Sequence, residues 1–234
     1  MPEKPLADFS TTPTIFMPFG LLRDRNLNGG EKLCYGALVH FAQLATYAFP
    51  SYGQIADLMG VSKEQVRLYL HKLMENKYIR VKNRVLKDDR NVYFFTYHEN
   101  FRNPSMWRKR IKKNYYYFAP LRFLYGAFLP VCTLQDDNLS QGAKVCLARL
   151  IQYNWKTFRH IVVSVNDLAQ ECGVTTTQIK IYLQNLKETK YIEIHRRYET
   201  IYYDINQAIL FGRMPSKAPK RKTKQQFTTK KTKK

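Results

Sequence analysis

Apolar residues recur along this chain at two different periods, and each period predicts one kind of element. The first set is spaced by three and four residues, as on one face of a helix. Its members are Cys34, Ala37, Leu38, Phe41 and Ala45. The pattern predicts a first helix that begins near Glu31 and buries a single face.

Two more helices are predicted directly after the first. Ser51 and Gln54 have the spacing of a capping box, and Ser62 and Gln65 repeat that spacing. Between them, Gly60 can adopt the left-handed conformation that ends a helix. The apolar positions of the short helix are Ile55, Ala56, Leu58 and Met59, and those of the longer helix are Val66, Tyr69, Leu70, Leu73 and Met74. A short helix, a glycine turn and a longer helix with a polar outer face predict a helix-turn-helix.

Strand-like segments follow the third predicted helix. Residues 79–85 and 92–97 are rich in β-branched and aromatic side chains, and the polar segment 87–90 lies between them. Alternating apolar positions on both sides of a polar turn predict a β-hairpin. A helix-turn-helix followed by such a hairpin is the plan of a winged helix.

The whole pattern occurs twice, since residues 16–81 recur at 128–194. The motif Gly-x-Lys-x-Cys, for example, occurs at 30–34 and again at 142–146. The second copy repeats the helix caps, the apolar stripe and the two strand segments, at Ser164 and Thr175, at Ile179, Tyr182, Leu183 and Leu186, and at 192–195 and 201–205. Self-similarity of this kind constrains the architecture. The sequence predicts a mainly α protein with small β-hairpins (α+β), built as tandem winged helix-turn-helix domains.

The repeat divides the chain into four predicted segments. They are a winged-helix domain at 1–98, a basic and aromatic connector at 99–127, a second winged-helix domain at 128–212 and a tail at 213–234. The tail has ten Lys or Arg residues and no acidic residue. We expect it to be a disordered basic arm, because it has too few apolar groups to form a core. Such an arm adds salt-sensitive affinity for nucleic acid without recognising its sequence.

The charge balance indicates the kind of partner. Lys and Arg total 39 against 18 Asp and Glu, which gives a net charge of +21. Such an excess attracts polyanions, so nucleic acid is the expected partner. The sequence contains no run of about 20 apolar residues and no apolar signal segment at its start. We therefore expect a cytoplasmic, nucleoid-associated protein with no membrane partner.

Motifs for catalysis or metal binding are not found in the sequence. The four cysteines form no Cys-x-x-Cys pair, and the five histidines have no ligand spacing with them. We expect Cys34 and Cys146 to pack as small buried side chains, with a redox or metal role as the less favoured alternative. No phosphate-binding loop, His-Glu-x-x-His motif or nucleophile with a base is present. The acidic pairs at 88–89 and 136–137 suit a turn and a helix start, so we expect no enzymatic activity, cofactor or metal.

Three motifs that both copies share resemble a known family. In the first copy they are Leu-x-x-Gly-x-Lys-x-Cys at 27–34, Ala-x-x-x-Gly-Val-Ser at 56–62, and Tyr-Leu-x-x-Leu at 69–73 with Lys-Tyr-Ile after it. Together they resemble the helix-turn-helix domain of plasmid and phage replication proteins and of related DNA-binding proteins from mobile elements. One departure is that Leu68 and Ile181 stand where such domains often have a basic residue. In the major groove these side chains could contact only a thymine methyl group.

The resemblance implies that the third helix of each copy enters the major groove, and this selects the candidate contacts. In the first copy they are Lys63, Gln65, Arg67, His71 and Lys72. Arg67 is the strongest candidate, because a guanidinium can bond guanine bidentately. In the second copy they are Thr176, Thr177, Lys180 and Gln184, which are mostly neutral and predict weaker binding or adenine contacts. The alternative for both sets is an ordinary solvated helix face.

Basic residues outside these helices extend the predicted interface. The wing turns carry Arg84, Lys87 and Arg90 in the first copy and Arg196 and Arg197 in the second, where they would contact phosphates. In the connector, Arg108, Lys109 and Arg110 precede a run of aromatic residues at 115–118. That mixture suits a surface that follows single-stranded DNA. It suits equally well an interdomain helix whose rings pack against both cores.

The expected function is sequence-specific binding of double-stranded DNA by two winged helices, as a plasmid or phage replication initiator. The two half-sites would be unequal, about 34 Å apart on one side of the duplex, and in direct or inverted order. One alternative is a transcriptional regulator that represses its own promoter in a mobile element. Another is a nucleoid or partition protein of low specificity. Host replication proteins are expected as further partners of an initiator, and the sequence is compatible with a monomer or a homodimer.

Overall fold

The computed structural model describes residues 13–43, 45–83, 91–96, 98, 126–157, 160–198 and 200–210. The elements of the first repeat are β1 (Thr14–Pro18), α1 (Phe19–Arg23), α2 (Gly29–Ala42), β2 (Tyr47–Ala48), α3 (Tyr52–Met59), α4 (Lys63–Glu75), β3 (Ile79–Asn83) and β4 (Asn91–Phe95). Those of the second repeat are β5 (Gly126–Pro130), α5 (Val131–Leu134), α6 (Gln141–Thr157), β6 (Ile161–Val162), α7 (Val165–Cys172), α8 (Thr176–Glu188), β7 (Ile192–Arg197), β8 (Thr200–Ile205) and α9 (Gln207–Leu210). The element order of the first repeat thus recurs in the second, with α9 added at its end.

Local signals place the two helices of each helix-turn-helix. Ser51 caps α3 with the predicted capping box, and its hydroxyl accepts from the backbone N–H of Gln54 at 3.2 Å. Gly60 ends α3 at φ 65°, in the left-handed region that glycine adopts without strain. The second repeat has the same ending at Gly173, where φ is 64°. The predicted caps and the glycine turn are therefore confirmed in both repeats.

Each repeat has an antiparallel sheet of three strands, of which one precedes the helix pair in the chain and two follow it as a hairpin. The strand orders are β2-β4-β3 in the first repeat and β6-β8-β7 in the second. The hairpins were predicted, whereas the short third strands at Tyr47–Ala48 and Ile161–Val162 were not. The second hairpin is also longer than predicted, because Arg196 and Arg197 lie in β7 opposite Ile201 and Thr200. Placing these arginines in the turn was wrong, since the ladder of backbone hydrogen bonds continues through them.

The strand that opens each repeat pairs with its counterpart in the other repeat. β1 runs antiparallel to β5, and Phe16 lies opposite Phe128 at the centre of the ladder. The two rings contact each other with centroids 5.0 Å apart. Because Phe16 and Phe128 are equivalent residues, an antiparallel register centred on them has the symmetry of a two-fold axis. We call this the pseudo-two-fold axis.

A second contact on the pseudo-two-fold axis joins the starts of α2 and α6. Gly29 begins α2 and its equivalent Gln141 begins α6. A Cβ atom added at Gly29 would lie 2.8 Å from the backbone carbon of Gln141, so the two chain segments are nearly touching. The repeats therefore meet through equivalent surfaces, as the subunits of an isologous dimer do.

Helix α2 is buried on nearly all sides, which the prediction of a single apolar face did not anticipate. It packs against α4 of its own repeat and against α6 of the other repeat. Two details of the predicted stripes are also wrong. Ala45 lies beyond the end of α2, and Met74 points away from the core with 37% of its surface exposed. Cys34 and Cys146 are fully buried, as expected for packing residues.

Helices α2 and α6 each bury a lysine side chain inside the protein. Lys32 is 1% exposed, and its ammonium donates to the carbonyl oxygens of Leu22 and Cys172, each at 2.8 Å. Cys172 is the last residue of α7, so this lysine joins the two repeats. Burial lowers the pKa of Lys32 to about 8. Its equivalent Lys144 donates to the carbonyl oxygen of Leu134, and burial lowers its pKa as well.

Buried carboxylates anchor the chain directly after α4 and α8. The hydroxyl of Tyr78 donates to the buried carboxylate of Asp24 at 2.6 Å, and Tyr191 donates to Asp136 at 2.9 Å. Asp136 had been expected at a helix start, but it lies in the loop that precedes α6. Its structural role stands, because the carboxylate also accepts from the backbone N–H of Asn138 at 2.9 Å.

Candidate nucleic-acid interface

The outer face of α4 contains the candidate residues of the first repeat. Lys63, Arg67, His71 and Lys72 are exposed, and Gln65 is half-buried. Ser62 caps the helix, and its hydroxyl accepts from the backbone N–H of Gln65 at 3.1 Å. The opposite face carries the buried Val66, Tyr69, Leu70 and Leu73. The first repeat thus presents a basic helix face to solvent.

Two glutamates on α4, which the sequence analysis did not single out, pair with these cations. Arg67 lies 3.5 Å from Glu64, and Glu75 lies 2.6 Å from Lys72 and 3.1 Å from His71. The hydrogen bond with Lys72 lowers the pKa of Glu75 and raises that of the lysine. All of these groups are exposed, so solvent screens their attraction and each pair contributes little to stability. The cations can therefore exchange these partners for a phosphate or a base.

The outer face of α8 holds the candidates of the second repeat, and it is largely neutral. Thr176, Thr177, Lys180 and Gln184 are all exposed. The amide of Gln184 donates to Glu188 at 3.1 Å. The candidate residues on α8 thus include one cation, Lys180, whereas those on α4 include Lys63, Arg67 and Lys72.

A glycine in each repeat allows α4 or α8 to approach the core closely. The side chain of Tyr69 on α4 packs against Gly30, where an added Cβ atom would lie 2.3 Å from the ring. Tyr182 on α8 packs against Gly142 in the same way, with a distance of 2.1 Å. Gly30 follows Gly29, which touches the other repeat on the pseudo-two-fold axis. Helices α4 and α8 therefore both lie beside this axis.

The hairpin of the second repeat carries two further exposed basic residues. Arg196 and Arg197 are exposed at the end of β7, and Tyr198 at the tip is 91% exposed. The remaining basic candidates lie outside the described residues. They are Arg84, Lys87 and Arg90 of the first wing and Arg108, Lys109 and Arg110 of the connector.

Membrane-spanning helices and metal clusters are absent from the parts of the chain that the structure describes. Over those residues, none of the helices combines the length and apolar character that a bilayer crossing requires. Nor do the described His, Cys, Asp and Glu side chains form a group of three or more that could hold a metal ion.

Comparison with known families identifies one part of the chain. Residues 25–79, from the loop before α2 to the start of β3, match the helix-turn-helix domain family. The match covers the first repeat only, and it suggests that this domain binds double-stranded DNA. A search of curated proteins finds no match.

Proposed function

We propose that the protein binds double-stranded DNA sequence-specifically and that each repeat acts as a winged helix. One observation carries the proposal: α4 and α8 present exposed polar faces from equivalent positions in two repeats of the same element order. A helix-turn-helix uses such a face in the major groove, and the hairpin that follows contacts phosphates. The protein acts as a binding protein without a catalytic step or a cofactor. The winged-helix domains are those at 1–98 and 128–212.

The pseudo-two-fold axis supports half-sites in inverted order. Duplex DNA has a local dyad of its own, and two recognition helices related by a two-fold axis match half-sites related by that dyad. The half-sites are unequal in sequence, because α4 offers Arg67 and Lys63 where α8 offers Lys180 and Thr176. One chain then fills a site that other helix-turn-helix proteins fill as dimers.

Replication initiation at a plasmid or phage origin is the biological role that we favour. It is supported by the resemblance of the repeated motifs to replication proteins, and it implies host replication proteins as partners. A regulator of a mobile element uses the same surface and differs only in what its site controls. The mostly neutral face of α8 is the observation that favours the third candidate, a nucleoid or partition protein of low specificity.

Selection of bound duplexes from a random pool tests the binding proposal. We expect enrichment of one sequence with two unequal half-sites in inverted order. Recovery of the starting pool without enrichment would refute sequence-specific binding and favour the low-specificity candidate. The position of the sites then separates the two other roles, because sites beside an AT-rich segment indicate an origin and sites over a promoter indicate regulation.

Arg67→Ala tests the assignment of α4 as the base-contacting helix. The substitution should weaken binding to the selected duplex by about 1 to 3 kcal/mol and leave binding to random duplex almost unchanged. Arg25→Ala is the matched control, because Arg25 is exposed in the loop before α2 and not on α4. Equal losses on both duplexes would reduce Arg67 to a phosphate contact.

A further inference from the structure

Each recognition helix has one large aliphatic side chain in the middle of its solvent-exposed face. Leu68 on α4 is 55% exposed, and Ile181 on α8 is 61% exposed. The two residues occupy equivalent positions in the two repeats, each five residues after the first residue of its helix. A single exposed aliphatic residue is common on protein surfaces. Its occurrence at the same position of both repeats calls for a shared explanation.

The neighbours of these side chains argue against docking of either helix into an apolar groove of a partner protein. Neighbours on a helix surface lie three and four residues away. For Leu68 they are Glu64, Gln65, His71 and Lys72, and for Ile181 they are Thr177, Gln178, Gln184 and Asn185. All eight neighbours are polar, whereas a helix that docks in an apolar groove presents several apolar anchors at these spacings.

The major groove of duplex DNA offers an isolated apolar group among polar ones. On the base edges of the major groove, the 5-methyl group of thymine is the apolar group, and it lies among hydrogen-bonding atoms and phosphates. Lys72 is a neighbour of Leu68, and Lys63 and Arg67 are exposed elsewhere on α4, which suits a polyanion. We propose that Leu68 and Ile181 are specificity-determining residues that contact thymine methyl groups, one in each half-site.

This inference rests on the proposed binding of duplex DNA and adds a constraint to it. The pseudo-two-fold axis relates Leu68 to Ile181, so the two thymines occupy equivalent positions of inverted half-sites and belong to opposite strands. The two half-sites differ where Arg67 and Lys180 face them and agree at these thymines.

Replacing thymine by deoxyuridine in the selected duplex tests the proposal, because the change removes only the methyl group and retains base pairing. Each thymine is replaced in turn, and binding of the full chain is measured. We expect one sensitive position in each half-site, with a loss of roughly fourfold, which is the effect of exposing about one methylene group. A duplex that tolerates every replacement would overturn the proposal while leaving duplex binding intact.

Leu68→Ala and Ile181→Ala assign the two positions to residues. Leu68→Ala should abolish the effect of deoxyuridine in one half-site only, and Ile181→Ala should abolish it in the other. Met74→Ala is the matched control, because Met74 is also an exposed apolar residue of α4 but does not lie in the middle of its exposed face. Deoxyuridine sensitivity that survives both alanine substitutions would refute the assignment.

Two further outcomes separate this inference from the proposed function. Failure of the chain to enrich any duplex would overturn sequence-specific binding and this inference together. A change in oligomeric state in Leu68→Ala, with DNA binding unchanged, would assign the side chain to a contact between chains. That result would overturn the thymine contact alone.

Discussion

Replacing Lys32 by methionine tests whether an ammonium group is buried between the two repeats. In the structure this group donates to the carbonyl oxygens of Leu22 and Cys172, which belong to different repeats. Burial lowers its pKa from 10.5 to about 8. Methionine has a similar length and cannot be protonated, so Lys32→Met removes this titration and little volume.

The pH dependence follows from where the proton is bound. Between about pH 8 and the unfolded pKa, the unfolded chain holds a proton on Lys32 that the folded chain has released. Stability rises with pH wherever the unfolded state binds more protons, by about 1.4 kcal/mol for each pH unit. From about pH 8 to about pH 9.5 the group therefore adds on the order of 2 kcal/mol to the free energy of unfolding.

The measured quantity is the difference in the free energy of unfolding between wild type and Lys32→Met. Urea denaturation at a series of pH values gives this difference, which should rise by about 2 kcal/mol across that interval. Burial raises the pKa of the Cys34 thiol, which lowers stability as pH rises. That contribution is common to both proteins and cancels in the difference.

Lys63→Met provides the control, because this lysine is exposed on α4. Its free energy of unfolding should stay parallel to that of wild type throughout. If the difference for Lys32→Met is flat or falls with pH, the ammonium group is not buried between the repeats, and the argument fails.

Three further predictions concern the turn, the buried carboxylate and the tail. Gly173→Ala should lower the free energy of unfolding in urea by about 1 to 2 kcal/mol or more, because the backbone of Gly173 is left-handed. The new Cβ atom would also lie 2.7 Å from the carbonyl oxygen of Arg23. An unchanged midpoint of the urea transition would contradict this packing. Tyr78→Phe should cost about 1.5 to 3 kcal/mol by the same measurement, because it removes the hydroxyl that donates to the buried Asp24 carboxylate; a cost near zero would show that the bond contributes nothing. Deleting 213–234 should flatten the salt dependence of DNA binding without changing the selected sequence, because it removes ten cations; a changed sequence preference would refute the role of a non-specific tether.

Local signals predicted the helix-turn-helix well. Gly60 and the Ser62 cap act over a few residues, so their pattern in the sequence is enough to fix where α3 ends and α4 begins. The sequence analysis also placed Arg67 and Thr177 on exposed helix faces, as the structure has them. Such a face is set by the period of the buried residues on the same helix.

Contacts between the repeats could not be predicted in this way. Phe16 and Phe128 were recognised as equivalent residues, but no local pattern says that their strands pair with each other. Hydrophobic periodicity also misses a helix that is buried on all sides, because the second buried face of α2 includes Lys32. The repeated Lys in Gly-x-Lys-x-Cys was a usable signal, since a charged residue kept inside an apolar helix needs a buried partner.

The pairing of β1 with β5 also determines how the assembly of the two repeats responds to dilution. Two separate chains would have to associate before their strands could pair, and the fraction assembled would fall as their concentration fell. Here one polypeptide links both strands, so the pairing is intramolecular. If the proposed two-part DNA site is correct, one molecule can fill it without first meeting another, and its occupancy at low concentration rises in proportion to the amount of protein.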